Sequence, residues 1–172
     1  GVDTVVNAFD VIHQKMPDVK LVLVGGASGP LGSVELEKLH AYVEELGLGD
    51  SVRFWPAQAH SQMPTFYRAA NVVLVPSRSE SFGLVAAEAQ ASGTPVVAAR
   101  VGGLAEVVAD GKSGILIDGW DPLDYGGAVL EILGDEDLAD RMSVAAVEHS
   151  RRFSWETTAN RLSELYAGIV SG

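Results

Sequence analysis

The chain has 172 residues, 47% of them apolar, with 12 Lys and Arg against 23 Asp and Glu and a formal net charge of −11. At that length one domain is expected, burying roughly 70% of the unfolded chain's surface, which excludes wholesale disorder. The lack of cysteine excludes a disulfide scaffold and thiolate metal sites, and the negative surplus argues against nucleic acid or an anionic membrane as partner. No apolar run approaches the ~20 residues that span a bilayer, and no charged segment leads into an apolar leader. A cytoplasmic domain without a membrane anchor is the expectation. The chain opens Gly1-Val2-Asp3 with no initiator Met, which reads as a piece of something longer.

In chain order, Val2 to Lys15 carries apolar residues at helical spacing and stops at Pro17-Asp18. Val19 to Val24 is a β-branched run ending in Gly25-Gly26, a buried strand followed by a turn. Ser33 to Leu46 predicts a helix stopped by Gly47. A strand follows over 51–55, then a helix over 61–70 with Ser61 as N-cap. The pattern continues as strand 71–75, helix 82–91 closed by Gly93, strand 95–99, a short helix 104–109 and strand 115–117. Beyond Asp118 three helices are predicted, at about 121–133, 136–150 and 155–169. Strands alternating with helices predict an α/β fold, one doubly wound parallel sheet with helices on both faces. Ligands in such folds sit beyond the carboxyl ends of the strands, so the turns at 25–32, 56–61, 76–83 and 100–104 are the places to search.

Two motifs imitate nucleotide sites without matching them. Gly111-Lys112-Ser113 looks like the end of a P-loop, yet Glu106 stands where the first glycine belongs, and the strand and helix come in the wrong order. Gly25-Gly26-Ala27-Ser28-Gly29 follows a strand but lacks the dinucleotide spacing. The histidines, His13, His40, His60 and His149, are never three or four apart, so they suggest no helical metal face and read as solvated surface residues. Asp135-Glu136-Asp137 falls where a helix begins, and the helix dipole explains it.

The informative stretch runs from Pro76 to Glu88, from the end of a strand into a helix. The backbone N–H groups of Phe82, Gly83 and Leu84 belong among the unpaired donors of that helix's first turn. With the helix dipole they make an anion site suited to a diphosphate, and Gly83 has no Cβ to hold a ligand away. Glu80 lies before the helix, and Glu88 about five helical residues further, roughly 7–8 Å along the axis. A carboxylate accepts from two neighbouring hydroxyls, so the pair suits a sugar on each side of a diphosphate. Spacing alone leaves a plainer reading open: Glu80 as a helix-start carboxylate and Glu88 as a solvated helix residue.

The run Ser79-Glu80-Ser81-Phe82-Gly83-Leu84-Val85-Ala86-Ala87-Glu88, continued by Ser92-Gly93-Thr94-Pro95-Val96-Val97 and Val101-Gly102-Gly103-Leu104, resembles the group 1 (GT4) retaining glycosyltransferases of GT-B fold. Glu80 and Glu88 match that family's E-x7-E signature. The resemblance covers essentially the whole chain as the C-terminal, donor-binding domain (1–172). Arg53-Phe54 with Pro56 and Gln58, Tyr67-Arg68-Ala69-Ala70 and Phe153-Ser154-Trp155 bring it nearest to the members that glycosylate inositol phosphate in mycothiol biosynthesis. Sucrose-phosphate synthase-like members share many of these flanks, and nucleotide-sugar epimerases share the fold.

The resemblance implies hexosyl or N-acetylglucosaminyl transfer from a UDP-sugar, with retention, to a small polyol phosphate such as inositol phosphate. Glu80 would hold the donor hexose, as the catalytic residue. Ser81, Phe82, Gly83 and Leu84 would meet the donor sugar and phosphate, and Glu88 the ribose. The region of Gln58 would meet the base, and Gly25, Gly26, Gly102 and Gly103 would line the cleft. No cofactor is required for the chemistry. A structural Mg²⁺ is implied near carbonyls of Tyr67, Arg68 and Ala70 and near Thr94, at a helix end whose free oxygens suit a hard cation. A homodimer is among the assemblies the resemblance allows. Family members carry an aromatic where Arg78 stands; the arginine reads equally as a second cation near the donor or as a surface side chain. The family's Gly-Arg…Lys-Gly segment, whose cations clamp the diphosphate, would end just before Gly1, and the strand ahead of it belongs between those at 19–24 and 71–75. The acceptor site would belong to an N-terminal domain, toward which the helix at 154–172 would return. The 172-residue chain by itself is therefore expected to be inactive.

Overall fold

Every predicted strand and helix is present in the computed structural model, which describes residues 1–27 and 32–170. Ser28 and Gly29 of the first glycine-rich turn lie outside the described residues. The order is α1 (Val2–Lys15), β1 (Leu21–Val24), α2 (Gly32–Glu45), β2 (Val52–Trp55), α3 (Met63–Ala69), β3 (Val73–Val75), α4 (Leu84–Ala91), β4 (Val96–Ala99), α5 (Leu104–Val107), β5 (Gly114–Ile117), α6 (Pro122–Gly134), α7 (Glu136–Ser150) and α8 (Trp155–Val170).

The strands are parallel, as alternation with helices demands, but they form two sheets rather than one. β1 pairs with β2, and Leu21 lies opposite Val52. β4 pairs with β3 on one side and β5 on the other. β1 and β3 each carry a ladder on one side only among the described residues. The division falls between β1 and β3, where the family resemblance places a further central strand, so the doubly wound parallel fold stands as expected.

Helix α1 joins the two sheets. Its Val5, Val6 and Phe9 pack with Leu21 and Val52 and with Val43 of α2. Its Ala8 and Ile12 pack with Val97, Ala99 and Ile117 and with Tyr125, Val129 and Ile132 of α6. The opposite side of the three-stranded sheet takes Val75, Val96, Ala98 and Leu116 against Ala86 and Ala89 of α4 and Leu104 and Val107 of α5. All four β4 residues are buried, with successive side chains on opposite faces. β1 and β2 have only one covered face: Val22 and Trp55 are each 48% exposed on the other.

Local signals explain the boundaries. Asp135 accepts from the Leu138 N–H and starts α7, and Asp121 with Pro122 starts α6. Ser61 does not cap α3; it lies in a 3₁₀ turn over His60–Gln62, and Gln62 precedes α3 without a side-chain bond. The helix expected from residue 82 begins at Leu84, because Gly83 takes φ 103 and ψ 50. At the β5 edge, Asp110 accepts from the Leu116 N–H at 2.9 Å and pairs with Arg100. Burial works to raise the Asp110 pKa; those bonds outweigh it and hold the carboxyl below its ordinary value. α8 packs few of its side chains: Trp155, Leu165, Tyr166 and Ile169 are all exposed.

Candidate donor-binding site

The turn between β3 and α4 is shaped by glycine. Gly83 is left-handed, and a Cβ there would lie 2.7 Å from Leu104 Cδ2. Gly102, at φ 48, presses on the same turn: a Cβ would come to 1.9 Å from the Glu80 carbonyl oxygen. The Gly103 N–H donates to that carbonyl at 3.0 Å. Gly102 and Gly103 thus act as the bed on which residues 80–82 lie, and any other residue would lift the turn away.

That turn leaves donors open. The N–H groups of Phe82, Gly83 and Leu84 have no acceptor among the described residues; the first bond into the helix runs from Ala87 N to Gly83 O. Leu84 and Val85 are 65% and 47% exposed, so the described chain leaves the first turn of α4 open. Gly83 is buried between the exposed Phe82 and Leu84; unpaired amides at a helix start are of the kind that binds anions.

The two glutamates differ. The Glu80 carboxylate has no hydrogen-bond donor or ion-pair partner among the described residues, although its backbone is pinned by Gly103. Glu88, on α4, is engaged from α3 and the turn before it. The Tyr67 hydroxyl donates to Oε2 at 3.0 Å, and His60 Nδ1 lies 3.6 Å from Oε1. Burial pushes the Tyr67 phenol pKa up, and the neighbouring carboxylate pushes it further, so the phenol stays protonated as a donor. A cavity of about 260 Å³ opens beside this pair, lined by His60, Pro64, Arg68, Glu88, Ala91 and Ser92. His60 is an exposed histidine, as expected, yet it stands at Glu88. The sequence marks Tyr67 as part of a family-like run and, through its carbonyl, as an implied cation ligand; its hydroxyl's bond to Glu88 is not legible there, because that partner lies 21 residues away.

The remaining expected residues are more scattered. The Gln58 amide donates to the Pro56 and Ala57 carbonyls at 2.8 and 3.3 Å, which folds the side chain onto its own loop. Gly25 and Gly26 are exposed, with nothing within 4 Å of where a Cβ would stand. Ser81 is exposed beside Phe82. Arg78 is occupied: it pairs with Asp3 at 3.3 Å and lies over Trp120 at 5.4 Å, while Trp120 Nε1 donates to the Ser77 carbonyl.

Of the expected cation ligands, the Thr94 hydroxyl donates to the Tyr67 carbonyl at 2.6 Å. The Arg68 and Ala70 carbonyls have no donor among the described residues. Neutral oxygens at a helix C-terminus fit a hard cation in type, once the Thr94 proton turns aside. No group of three or more His, Cys, Asp or Glu residues that could hold a metal occurs among the described residues. Ser113 of the P-loop imitation is buried, donating to the Gln90 amide and accepting from the Ala109 N–H. The Gln90 amide in turn donates to the Ala86 and Val107 carbonyls. That motif is a core tie between α4 and the turn before β5.

Residues 1–149 match the family model for glycosyl transferases group 1. A D-inositol 3-phosphate glycosyltransferase of Segniliparus rotundus is 45% identical over 172 residues, covering 100% of this chain and 38% of that protein. Among solved structures, the sucrose-phosphate synthase of Thermosynechococcus elongatus superposes with TM-score 0.86 at 36% identity, over 99% of this chain and 42% of that one. Anabaena HepE, solved in complex with UDP-glucose, superposes with TM-score 0.87 at 28% identity, over 98% of this chain and 45% of that one. The chain therefore spans well under half the length of these relatives. No described helix is long and apolar enough to cross a membrane. With 149 of its residues matched by that family model and its fold shared with these structures, the chain belongs to the group 1 glycosyl transferases, enzymes of GT-B fold.

Proposed function

We infer that this chain is the donor-binding domain of a retaining glycosyltransferase that transfers a hexosyl or N-acetylglucosaminyl group from a UDP-sugar to inositol phosphate. The observation that carries the reading is the 45% identity, over the entire chain, to a D-inositol 3-phosphate glycosyltransferase. The open amides of Phe82, Gly83 and Leu84 between Glu80 and Glu88 support the donor half of it.

In this reading the diphosphate lies against those amides, where its growing negative charge is stabilised as the glycosidic bond breaks. Glu80 orients the hexose and steadies positive character on its ring. Glu88 takes the ribose diol. The two are not the carboxylate pair of a retaining hydrolase, because Glu88 is committed to the ribose. The acceptor attacks from the face that the diphosphate leaves, on groups supplied outside residues 1–172. A preceding strand would fill the unpaired sides of β1 and β3, and α8 would lay its apolar side against the acceptor-side domain. The transfer needs no cofactor; a Mg²⁺ at the Tyr67, Arg68 and Ala70 carbonyls and Thr94 has a structural part only. Thermal melting with Mg²⁺ and with chelator tests that ion, and an unchanged midpoint removes it.

Mass spectrometry of the products, with the intact protein offered UDP-glucose or UDP-N-acetylglucosamine together with inositol phosphate, fructose 6-phosphate or no acceptor, decides the reading. A pseudo-disaccharide phosphate supports it. Transfer to fructose 6-phosphate alone would favour the second reading, a sucrose-phosphate synthase-like enzyme, which the 36% identical structure supports. Conversion of the donor without any acceptor would point to an epimerase.

A further inference from the structure

We propose that Tyr67 is a positioning residue for nucleotide recognition, holding Glu88 in the orientation that receives both ribose hydroxyls and so setting the preference for a ribonucleotide donor. The proposal rests on the reading of Glu88 as the ribose ligand. Its basis is the contrast in how the two glutamates are held. Glu88 Oε2 accepts from the Tyr67 hydroxyl at 3.0 Å, whereas Glu80 has no partner among the described residues.

Tyr67 is suited to hold a carboxylate still. Its side chain is buried in the cluster formed by Val75, Ala86, Ala89 and Val96. Its backbone carbonyl is tied down by the buried Thr94 hydroxyl. Burial and the neighbouring carboxylate keep the phenol protonated, so it donates and does not accept a proton in exchange. A carboxylate has about four lone-pair directions. One bond from Tyr67 to Oε2 leaves room on both oxygens, enough for a vicinal diol.

The other titratable or charged groups at this point are His60, 3.6 Å from Oε1, and Arg68 on the cavity wall. His60 is beyond hydrogen-bond distance and 83% exposed, so it can swing aside for a ligand. Tyr67 is fixed on the far oxygen and stays. A glutamate on an exposed helix face has several rotamers; one already held loses less freedom when the ligand arrives.

Calorimetric titration of the intact protein with UDP and with 2′-deoxy-UDP tests this. The wild type should prefer UDP on the order of tenfold, the value of one hydroxyl on a charged acceptor. Tyr67→Phe should cut that preference at least threefold, because the ribose contact is lost while the ring still fills its place. A variant that binds both nucleotides more weakly with the preference intact overturns the proposal, since that is the effect of a structural residue. Equal binding of both nucleotides by the wild type overturns the reading of Glu88 itself. Glu88→Asp, which withdraws the carboxylate by one methylene with Tyr67 in place, supplies the second variant. It should lose the preference as Tyr67→Phe does; a preserved preference counts against the hydroxyl–carboxylate geometry.

Discussion

The two ends of the candidate site are built on opposite principles. At the Glu88 end the carboxylate is held before any ligand arrives, by a buried tyrosine on α3. At the Glu80 end the backbone is held, by the Gly103 N–H and the close approach of Gly102, and the carboxylate has no partner among the described residues. A group that grips an unreactive part of the ligand gains from being fixed in advance. A group beside the reacting carbon gains from having its charge unspent until the transition state forms.

Asp110 is a third carboxylate that shows what holding alone means. It is bonded to the Leu116 N–H and to Arg100, and it ties down the edge of β5. Glu88 resembles Asp110 in being held and Glu80 in facing an open site.

The sharpest break in this comparison is Glu80→Gln in the intact enzyme. With its charge spent in the transition state, kcat should fall about 10²–10³-fold while the KM for donor changes little. A kcat that stays within a factor of two would remove Glu80 from the chemistry. Next is Gly102→Ala, which sets a Cβ against the Glu80 carbonyl at a positive φ. It should lower stability by about 2 kcal/mol or more in denaturant titration and weaken UDP binding as well. An unchanged denaturation midpoint would show that the turn rests on something else.

Glu88→Ala should weaken UDP binding by roughly ten- to thirtyfold, the loss of bonds to a charged acceptor, and Glu80→Ala by clearly less. Equal losses in the two variants would erase the division of labour. The smallest effect belongs to Asp110→Asn. Its side chain is 42% exposed, so the loss should stay below about 1 kcal/mol, with no change in UDP affinity. Because its folded pKa is lowered, Asp110 contributes stability above the ordinary carboxylate pKa near 4 and loses it as pH falls through the lower folded value. The gap between wild type and Asp110→Asn should therefore close on acidification; a gap that widens would contradict the sign.

Much of this protein follows from its sequence alone. The order of strands and helices, their parallel sense and the turn and helix that carry Glu80 and Glu88 depend on periodicity and on glycine and proline at turns, which act over a few residues. Small errors came from the same local rules: Ser61 was a fitting cap by type, and the residues around it made a 3₁₀ turn instead. What only the tertiary structure decided involves partners far apart in the chain. The bond from Tyr67 to Glu88 across 21 residues, the tie between Gln90 and Ser113 across 23 and the seat of Trp120 on Ser77 across 43 are all of this kind. No local pattern encodes them, because hydrogen bonds between distant segments are chosen by how the helices pack, and packing is settled over the whole core at once.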